Sequence, residues 1–247
     1  MTGTELSQRS TDGATSNPIV RVENLTKKYF PKKALDNVTL DIKKGLIVGL
    51  LGPNGSGKST LLKCITGLTI PSSGTVSIEG DTPRAKTRAK IAYLPEVDPI
   101  YKWMSVKETI DLVSAFYDDF EAERVEDLYT LLKLNPTDRA GSMSKGQRAR
   151  LKLMTALSRN APLVLLDEPL SGIDPPSRSR IIQAIVSHYR AGEQTIILST
   201  HEVAESESIF DEVVFLDNGR VRLQGSAEQV RSEKGCSIED LLEEVYA

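Results

Sequence analysis

The chain has 247 residues, 39% hydrophobic and 26% charged, with a net charge of −3, which suits one large domain or two small ones. The acidic balance argues against a surface built for polyanions, and aromatics at 5% argue against base stacking on single strands. Cys64 and Cys236 have neither metal spacing nor a disulfide framework, which fits a reducing cytoplasm, and no apolar run approaches the roughly 20 residues of a membrane span.

Met1–Pro18 is rich in Ser, Thr and Gly and lacks an apolar core. It is not a secretory signal and reads as a disordered tail. Ile19–Val22 starts a strand, and Asn24–Phe30 follows. Ala34–Ile42 then alternates apolar positions at Val38, Leu40 and Ile42. This pattern predicts an antiparallel sheet with one wet face. Tyr29 sits between these strands. It reads either as an ordinary strand aromatic or as a stacking platform for adenine, and its setting favours the platform.

Leu46–Leu51 is an apolar run that reads as a buried parallel strand. Gly52-Pro53-Asn54-Gly55-Ser56-Gly57-Lys58-Ser59-Thr60 follows it and fits the phosphate-loop pattern G-x-x-x-x-G-K-[ST]. Leu61, Leu62, Cys64 and Ile65 are then spaced as on a helix. Strand, glycine loop and helix form the context this motif needs. The glycines let backbone N–H groups turn toward a phosphate, and the helix start adds positive character. Lys58 is placed to reach the β- and γ-phosphates and Ser59 to bind Mg²⁺.

Pro71–Gly74 is a turn and Thr75–Ile78 a strand. Arg84, Lys86, Arg88 and Lys90 read as a solvated basic surface. Ile91–Leu94 is a short strand ending at Pro95-Glu96. From Val106 to Leu134 the period becomes helical: Ile110, Val113, Phe116 and Tyr117 mark one helix, Leu128, Leu131 and Leu132 a second. Asp118, Asp119, Glu121, Glu123, Glu126 and Asp127 lie between them and read as a solvated helix start.

Ser142–Gln147 opens a third helix over Arg148–Leu157. Leu163–Leu166 is a buried strand ending in Asp167-Glu168, and Ser171–Pro175 is a loop. Ile181, Ile182, Ile185, Val186 and Tyr189 mark one helix face. Thr195–Thr200 is a strand with His201 after it. Val213–Leu216 and Arg220–Leu223 flank the hairpin signal Asp217-Asn218-Gly219. Ser226–Arg231 and Ile238–Val245 read as closing helices. No internal repeat is visible, so the chain holds one nucleotide site.

A phosphate loop alone suits kinases, GTPases and motor ATPases equally. The later residues narrow the choice. Asp167 ends an apolar strand, where a Walker-B acid holds Mg²⁺ through water. Glu168 follows, placed to take a proton from an attacking water. A helix-cap turn is the alternative reading of these two acids.

With these residues in order, the sequence resembles the ATP-binding-cassette ATPases, the engines of ABC transporters, over about residues 19–225. The most specific element is the signature, usually Leu-Ser-Gly-Gly-Gln, here Met143-Ser144-Lys145-Gly146-Gln147. Ser144, Gly146 and Gln147 match, whereas Met143 and Lys145 depart. Tyr29, the phosphate loop, Glu96, the signature, Asp167-Glu168, the Asp174 loop and His201 stand in family order.

The resemblance implies an α/β fold: a P-loop NTPase (RecA-like) core with an antiparallel β subdomain and an inserted α-helical subdomain. It implies an ATPase domain over 19–225, a helical subdomain at 97–158 within it, and C-terminal helices at 226–247. Two cassettes are expected to join head to tail around two ATP molecules. Ser144, with Gly146 and Gln147 at its helix start, would meet the partner's γ-phosphate. Asp174 would bridge to the opposite site, Thr60 would contact the α-phosphate, and His201 would hold the γ-phosphate and position Glu168. A lone histidine after a strand is more often structural. The Ser199-Thr200-His201 context, with His188 the other histidine, favours function here.

Most cassettes carry glutamine where Glu96 stands. A carboxylate keeps an oxygen for Mg²⁺ but brings negative charge toward the γ-phosphate. Lys145 of a partner chain is a candidate to offset it. Ile91–Glu96 with Tyr101 looks like the exporter-type branch.

Two roles are open: the ATPase subunit of a transporter, or a soluble regulatory ABC ATPase acting on nucleic acid or ribosomes. Regulatory cassettes usually come in pairs or carry long coiled coils, and neither is visible, so the transporter role is favoured. A separate transmembrane permease would then be the partner, docked on the helical insert and the Glu96 loop. The chain would be cytoplasmic and peripheral on the inner face of the plasma membrane, with no direct membrane insertion and no nucleic-acid ligand.

Overall fold

In a computed structural model, residues 17–234 and 237–246 are described. Residues 1–16, which make up most of the expected tail, and Cys236 lie outside the described residues.

The first two strands, β1 (Val20–Tyr29) and β2 (Lys32–Ile42), pair antiparallel. The next, β3 (Ile47–Leu51), is buried along its whole length and leads into α1 (Lys58–Ile65). β4 (Ser73–Ile78) returns to pair with β1, giving a three-stranded sheet in the order β2-β1-β4. α2 (Ala85–Arg88) and β5 (Ile91–Leu94) follow. The helical stretch holds α3 (Val106–Ser114), α4 (Ala122–Leu132) and α5 (Lys145–Leu157). The chain then alternates β6 (Leu163–Asp167), α6 (Pro175–His188) and β7 (Thr195–Thr200). It closes with the hairpin β8 (Glu212–Asp217) and β9 (Arg220–Ser226), then α7 (Ala227–Lys234) and α8 (Ile238–Tyr246).

The second sheet has six strands in the order β5-β6-β7-β3-β8-β9, parallel except at β9. Successive residues of a strand face opposite sides, and this splits the interior. Leu163 and Leu165 join one cluster with α1 and the antiparallel sheet. Val164 and Leu166 join another with Ile110, Leu128, Leu151 and Ile181 from the helices. The helical insert thus buries its apolar faces in a core it shares with the sheet. The P-loop fold expected from the sequence is the fold observed. Among the described residues no helix is long and apolar enough to cross a membrane.

Several local expectations change. α3 stops at Ser114, so Phe116 leaves the helix and stands 74% exposed. Long-range contacts reroute the chain there: Tyr117 packs under the Arg159 guanidinium, 3.6 Å from its ring centroid, and Asp119 pairs with Arg159 at 2.9 Å. The acidic run is therefore not wholly solvated. Glu121 also pairs with Arg124 at 2.6 Å and with Arg190 at 2.7 Å. The basic stretch includes the short helix α2, seated by the buried Thr87. α5 begins at Lys145 rather than Arg148, because Ser144 caps it. α6 ends at His188, so Tyr189 lies beyond it and donates its hydroxyl to Gly45 O at 2.6 Å.

Candidate functional site

A pocket of about 470 Å³ opens where the two sheets meet the glycine loop. Tyr29, Lys32 and Ala34 line it from the antiparallel sheet. Asn54, Gly55, Gly57, Lys58, Ser59 and Thr60 come from the loop and α1, and Glu96, Glu168, Ser171 and His201 follow strand ends. Tyr29 keeps half its surface exposed, with Lys27 Nζ 5.0 Å from its ring centroid.

Gly57 precedes α1 at φ 112, a left-handed region that suits glycine. No side chain caps this helix and its first turn holds no acid. A helix start left in this state is ready for an anion. Gly52, Pro53 and Ser56 do not line the pocket. Lys58 is buried, and its ammonium donates to Gly52 O at 2.6 Å and Pro53 O at 3.2 Å. It also lies 3.1 Å from Glu168 Oε1. That contact is an ion pair without hydrogen-bond alignment, since Oε1 is buried with no donor aimed at it.

Glu168 follows β6 with φ 49, a backbone region that costs a side-chain-bearing residue about 1–3 kcal/mol. β7 holds it there: the Glu168 amide donates to Ser199 O at 3.2 Å and to Ser199 Oγ at 3.0 Å. The other carboxylate oxygen, Oε2, accepts from His201 Nδ1 at 2.9 Å. Lys58, Glu168 and His201 therefore form one contiguous cluster.

Asp167 is fully buried at the end of β6. Its Oδ1 accepts from Ser59 Oγ at 2.9 Å and from Ser199 Oγ at 2.8 Å, and Oδ2 accepts from Tyr93 OH at 3.3 Å. Burial, then the adjacent Asp167 charge, push the Tyr93 phenol well up. The donors are all hard oxygens, and Glu96 adds an exposed carboxylate at the pocket edge. Among the described residues no cluster of His, Cys, Asp or Glu could cage a metal alone. Both facts fit Mg²⁺, which keeps several waters and takes phosphate oxygens beside one or two carboxylates.

Ser199 and Tyr93 were not singled out from sequence. Ser199 stands opposite Asp167 in the strand register, a pairing that only the sheet order reveals. Lys32, Ala34 and Ser171 were also missed.

Ser144, Gly146, Gln147 and Asp174 stand apart from this pocket. Ser144 Oγ accepts from Gln147 N at 3.1 Å, and Gln147 Oε1 accepts from Ser144 N at 2.8 Å, a reciprocal capping box. Asp174 caps α6 by accepting from Ser177 N at 3.0 Å. The Ser177 hydroxyl and amide hold its carboxyl below the usual carboxylate range. The starts of α5 and α6 abut, so a Cβ at Gly146 would lie 2.6 Å from Asp174 Oδ1. Lys145 turns its ammonium onto Gly172 of its own chain, which a Cβ there would strike. It therefore does not reach outward to a partner's site in this conformation.

Lys152 Nζ donates to Glu96 O at 2.9 Å. Burial lowers the Lys152 pKa, opposed by the charges of Asp98, Asp167 and Glu96. Cys64 is buried without a disulfide, and burial pushes its thiol up to about 11.

The ABC transporter family model matches residues 35–171. Nod factor export ATP-binding protein I of Ralstonia nicotianae is 32% identical over 235 residues, covering 92% of this chain and 73% of that protein. A solved ATP-binding subunit of an ABC transporter superposes with a TM-score of 0.83 at 30% identity, over 93% of this chain and all 100% of that one. A dimeric ATP-binding cassette in a post-hydrolysis state, bound to ADP and Pi, gives a TM-score of 0.75 at 25% identity, over 84% of this chain and 98% of that one. With its phosphate loop, buried strand-end acids and matching fold, this chain belongs to the ABC transporter family as an ATP-binding cassette ATPase.

Proposed function

We propose that this chain closes as a dimer on two Mg-ATP and drives a separate membrane-spanning subunit, in export. The observation that carries the dimer is a separation. The pocket holds Lys58, Ser59, Asp167, Glu168 and His201, while Ser144, Gly146, Gln147 and Asp174 stand outside it on capped helix starts. One chain thus supplies two half-sites, only one of which lines its own pocket. The related cassette bound to ADP and Pi is dimeric.

In this reading adenine stacks on Tyr29 and the phosphates enter at the start of α1. Lys58 exchanges the carbonyls of Gly52 and Pro53 for β- and γ-phosphate oxygens, which bind an ammonium more strongly. Thr60 takes the α-phosphate. Ser59 and Asp167 would hold Mg²⁺, with Glu96 at its edge, and the ion would neutralise charge on the phosphate oxygens. Departure of Lys58 releases Glu168 Oε1, which can then accept a proton from water. His201 keeps Oε2 in place, as a base needs to be oriented. Ser144 retains its hydroxyl proton for the partner's γ-phosphate, because its Oγ is only an acceptor in the capping box.

Residues 19–225 act as the ATPase domain, with 97–158 as its helical subdomain and α7 and α8 as closing helices. A groove of about 300 Å³ lined by Phe116, Tyr117, Asp118 and Asn160 is the docking face for the membrane subunit. Exposed Phe116 offers it an apolar anchor. The relative named for Nod factor export supports the outward direction. The chain itself would then sit peripherally on the inner membrane face.

Glu168→Gln is the deciding variant. It keeps shape and loses the base, so turnover should fall roughly 10²–10⁴-fold while ATP still binds. On size exclusion with Mg-ATP it should run as a dimer. A strictly monomeric enzyme at full activity would overturn the mechanism, and co-purification of a membrane protein with the tagged chain tests the partner.

A further inference from the structure

β8 runs parallel to β3 with Phe215 opposite Leu51, so both chains leave the sheet at the same end. β3 continues into the phosphate loop, and β8 turns through Asn218-Gly219 into β9. A hydrogen bond joins the turn to the loop: the Gly219 amide donates to Ser56 O at 2.8 Å. The Ser56 carbonyl and the Gly57 amide share one planar trans peptide, so they point opposite ways. Gly57 lines the nucleotide pocket. A donor fixed on Ser56 O therefore fixes the direction of the Gly57 N–H. β2 packs against both. A Cβ at Gly57 would lie 2.5 Å from Ala34 O, and a Cβ at Gly219 2.8 Å from the same oxygen. Asp36, also on β2, clamps the turn. Its amide donates to Gly219 O at 2.8 Å, and its Oδ2 accepts from Arg220 Nη2 at 2.6 Å and Arg220 Nε at 3.0 Å. Its Oδ1 accepts from Lys33 Nζ at 2.8 Å. Lys33 and Arg220 hold this carboxyl below the usual carboxylate range. Neither Asp36 nor Arg220 lines the pocket.

We propose that the β8–β9 turn is a strut for the phosphate loop, and that Asp36 and Arg220 are the positioning residues that lock it. The proposal rests on nucleotide binding in this pocket and not on the dimer. The Asp36 amide pins Gly219, and the Asp36 carboxylate pins Arg220 beside it. The Gly219 N–H then stays on Ser56 O, and the Gly57 N–H stays turned away from the strut, toward the phosphates. Without the lock that peptide is free to rotate, and one donor of the loop loses its aim. The effect has a sign that separates it from plain charge. Asp36 is an anion in a chain that must bind a polyanion, so by Coulomb's law alone its removal tightens nucleotide binding. As part of the lock, its removal weakens binding.

The test titrates ADP and inorganic tripolyphosphate, each with Mg²⁺, into the parent chain and into Asp36→Ala, Arg220→Met and Arg220→Lys. A thermal melt of each chain checks that it is folded. ADP is not hydrolysed, and tripolyphosphate reads the phosphate loop without the adenine platform. Asp36→Ala and Arg220→Met should each bind both ligands about two- to fivefold more weakly, the scale of one partly exposed ion pair. The double variant should bind no more weakly than the weaker single one, because both residues act through one clamp. Arg220→Lys keeps a cation for Asp36 and should stay near the parent. Unchanged or tighter binding in Asp36→Ala would overturn the strut and leave a charge effect alone. Weaker ADP binding with parent-like tripolyphosphate binding would overturn it too, by placing the clamp on the Tyr29 side. Arg220 is 62% exposed, so Arg220→Met decides the matter even if Asp36→Ala does not fold: parent-like affinity there overturns the strut. A parent that binds ADP but no tripolyphosphate leaves the strut nothing to serve and overturns it as well. A parent that binds neither ligand would instead overturn the nucleotide site itself.

Discussion

The helices α1 and α5 both start on a glycine-containing motif, yet their first turns are finished in opposite ways. α1 begins after Gly57, with no capping side chain and no acid in its first turn. α5 begins with a reciprocal capping box, in which Ser144 and Gln147 satisfy each other's amides. An uncapped start leaves N–H groups that need an anion, and a capped start has already met much of that need. The first is therefore built to take a phosphate from its own chain's nucleotide. The second keeps the Ser144 hydroxyl proton, the helix dipole and the first-turn amides of Lys145 and Gly146 to offer. Affinity for nucleotide should reside at α1, and closure at α5.

The sharpest way to break this contrast is at Lys58. Lys58→Ala removes the ammonium at the open helix start and leaves Glu168 Oε1 without its ion-pair partner. Loss of a charge-assisted phosphate contact should weaken ATP binding by about 2–3 kcal/mol, visible by calorimetry in the monomer. Unchanged affinity would mean that the loop amides alone carry the triphosphate.

Tyr29 should give a smaller effect on the same side. Tyr29→Ala should weaken ATP binding by about 1–3 kcal/mol, and Tyr29→Phe should be mild, because stacking needs the ring and not the hydroxyl. Equal affinity in the alanine variant, measured in the same titration, would return Tyr29 to the role of an ordinary strand aromatic.

Ser144 should give the smallest effect, and a different kind. Ser144→Ala removes a helix cap worth about 1 kcal/mol and the hydroxyl offered outward. ATP affinity of the monomer should hold, while ATP-driven dimerisation and turnover should drop. If monomer binding falls as far as dimerisation does, the division of labour between the two helix starts is wrong.

Sequence alone determined the elements whose causes are local. The alternation Val38, Leu40, Ile42 and the apolar run into Gly52 depend on neighbours a few residues away, and both strands formed as expected. The phosphate loop, the strand-end pair Asp167-Glu168 and the hairpin at Asp217-Asn218-Gly219 were legible for the same reason. Only the tertiary structure decided what distant elements do to each other. It set Lys58 against Glu168, 110 residues further on, and Ser199 against Asp167 across a strand register. It ended α3 at Ser114 by drawing Tyr117 and Asp119 to Arg159. It turned Lys145 toward Gly172 of its own chain and placed Lys152 on the Glu96 carbonyl. Periodicity and turn chemistry report only the forces along a few turns of chain. Ion pairs and registers between separate elements depend on the sheet order and helix packing, which no short window of sequence contains.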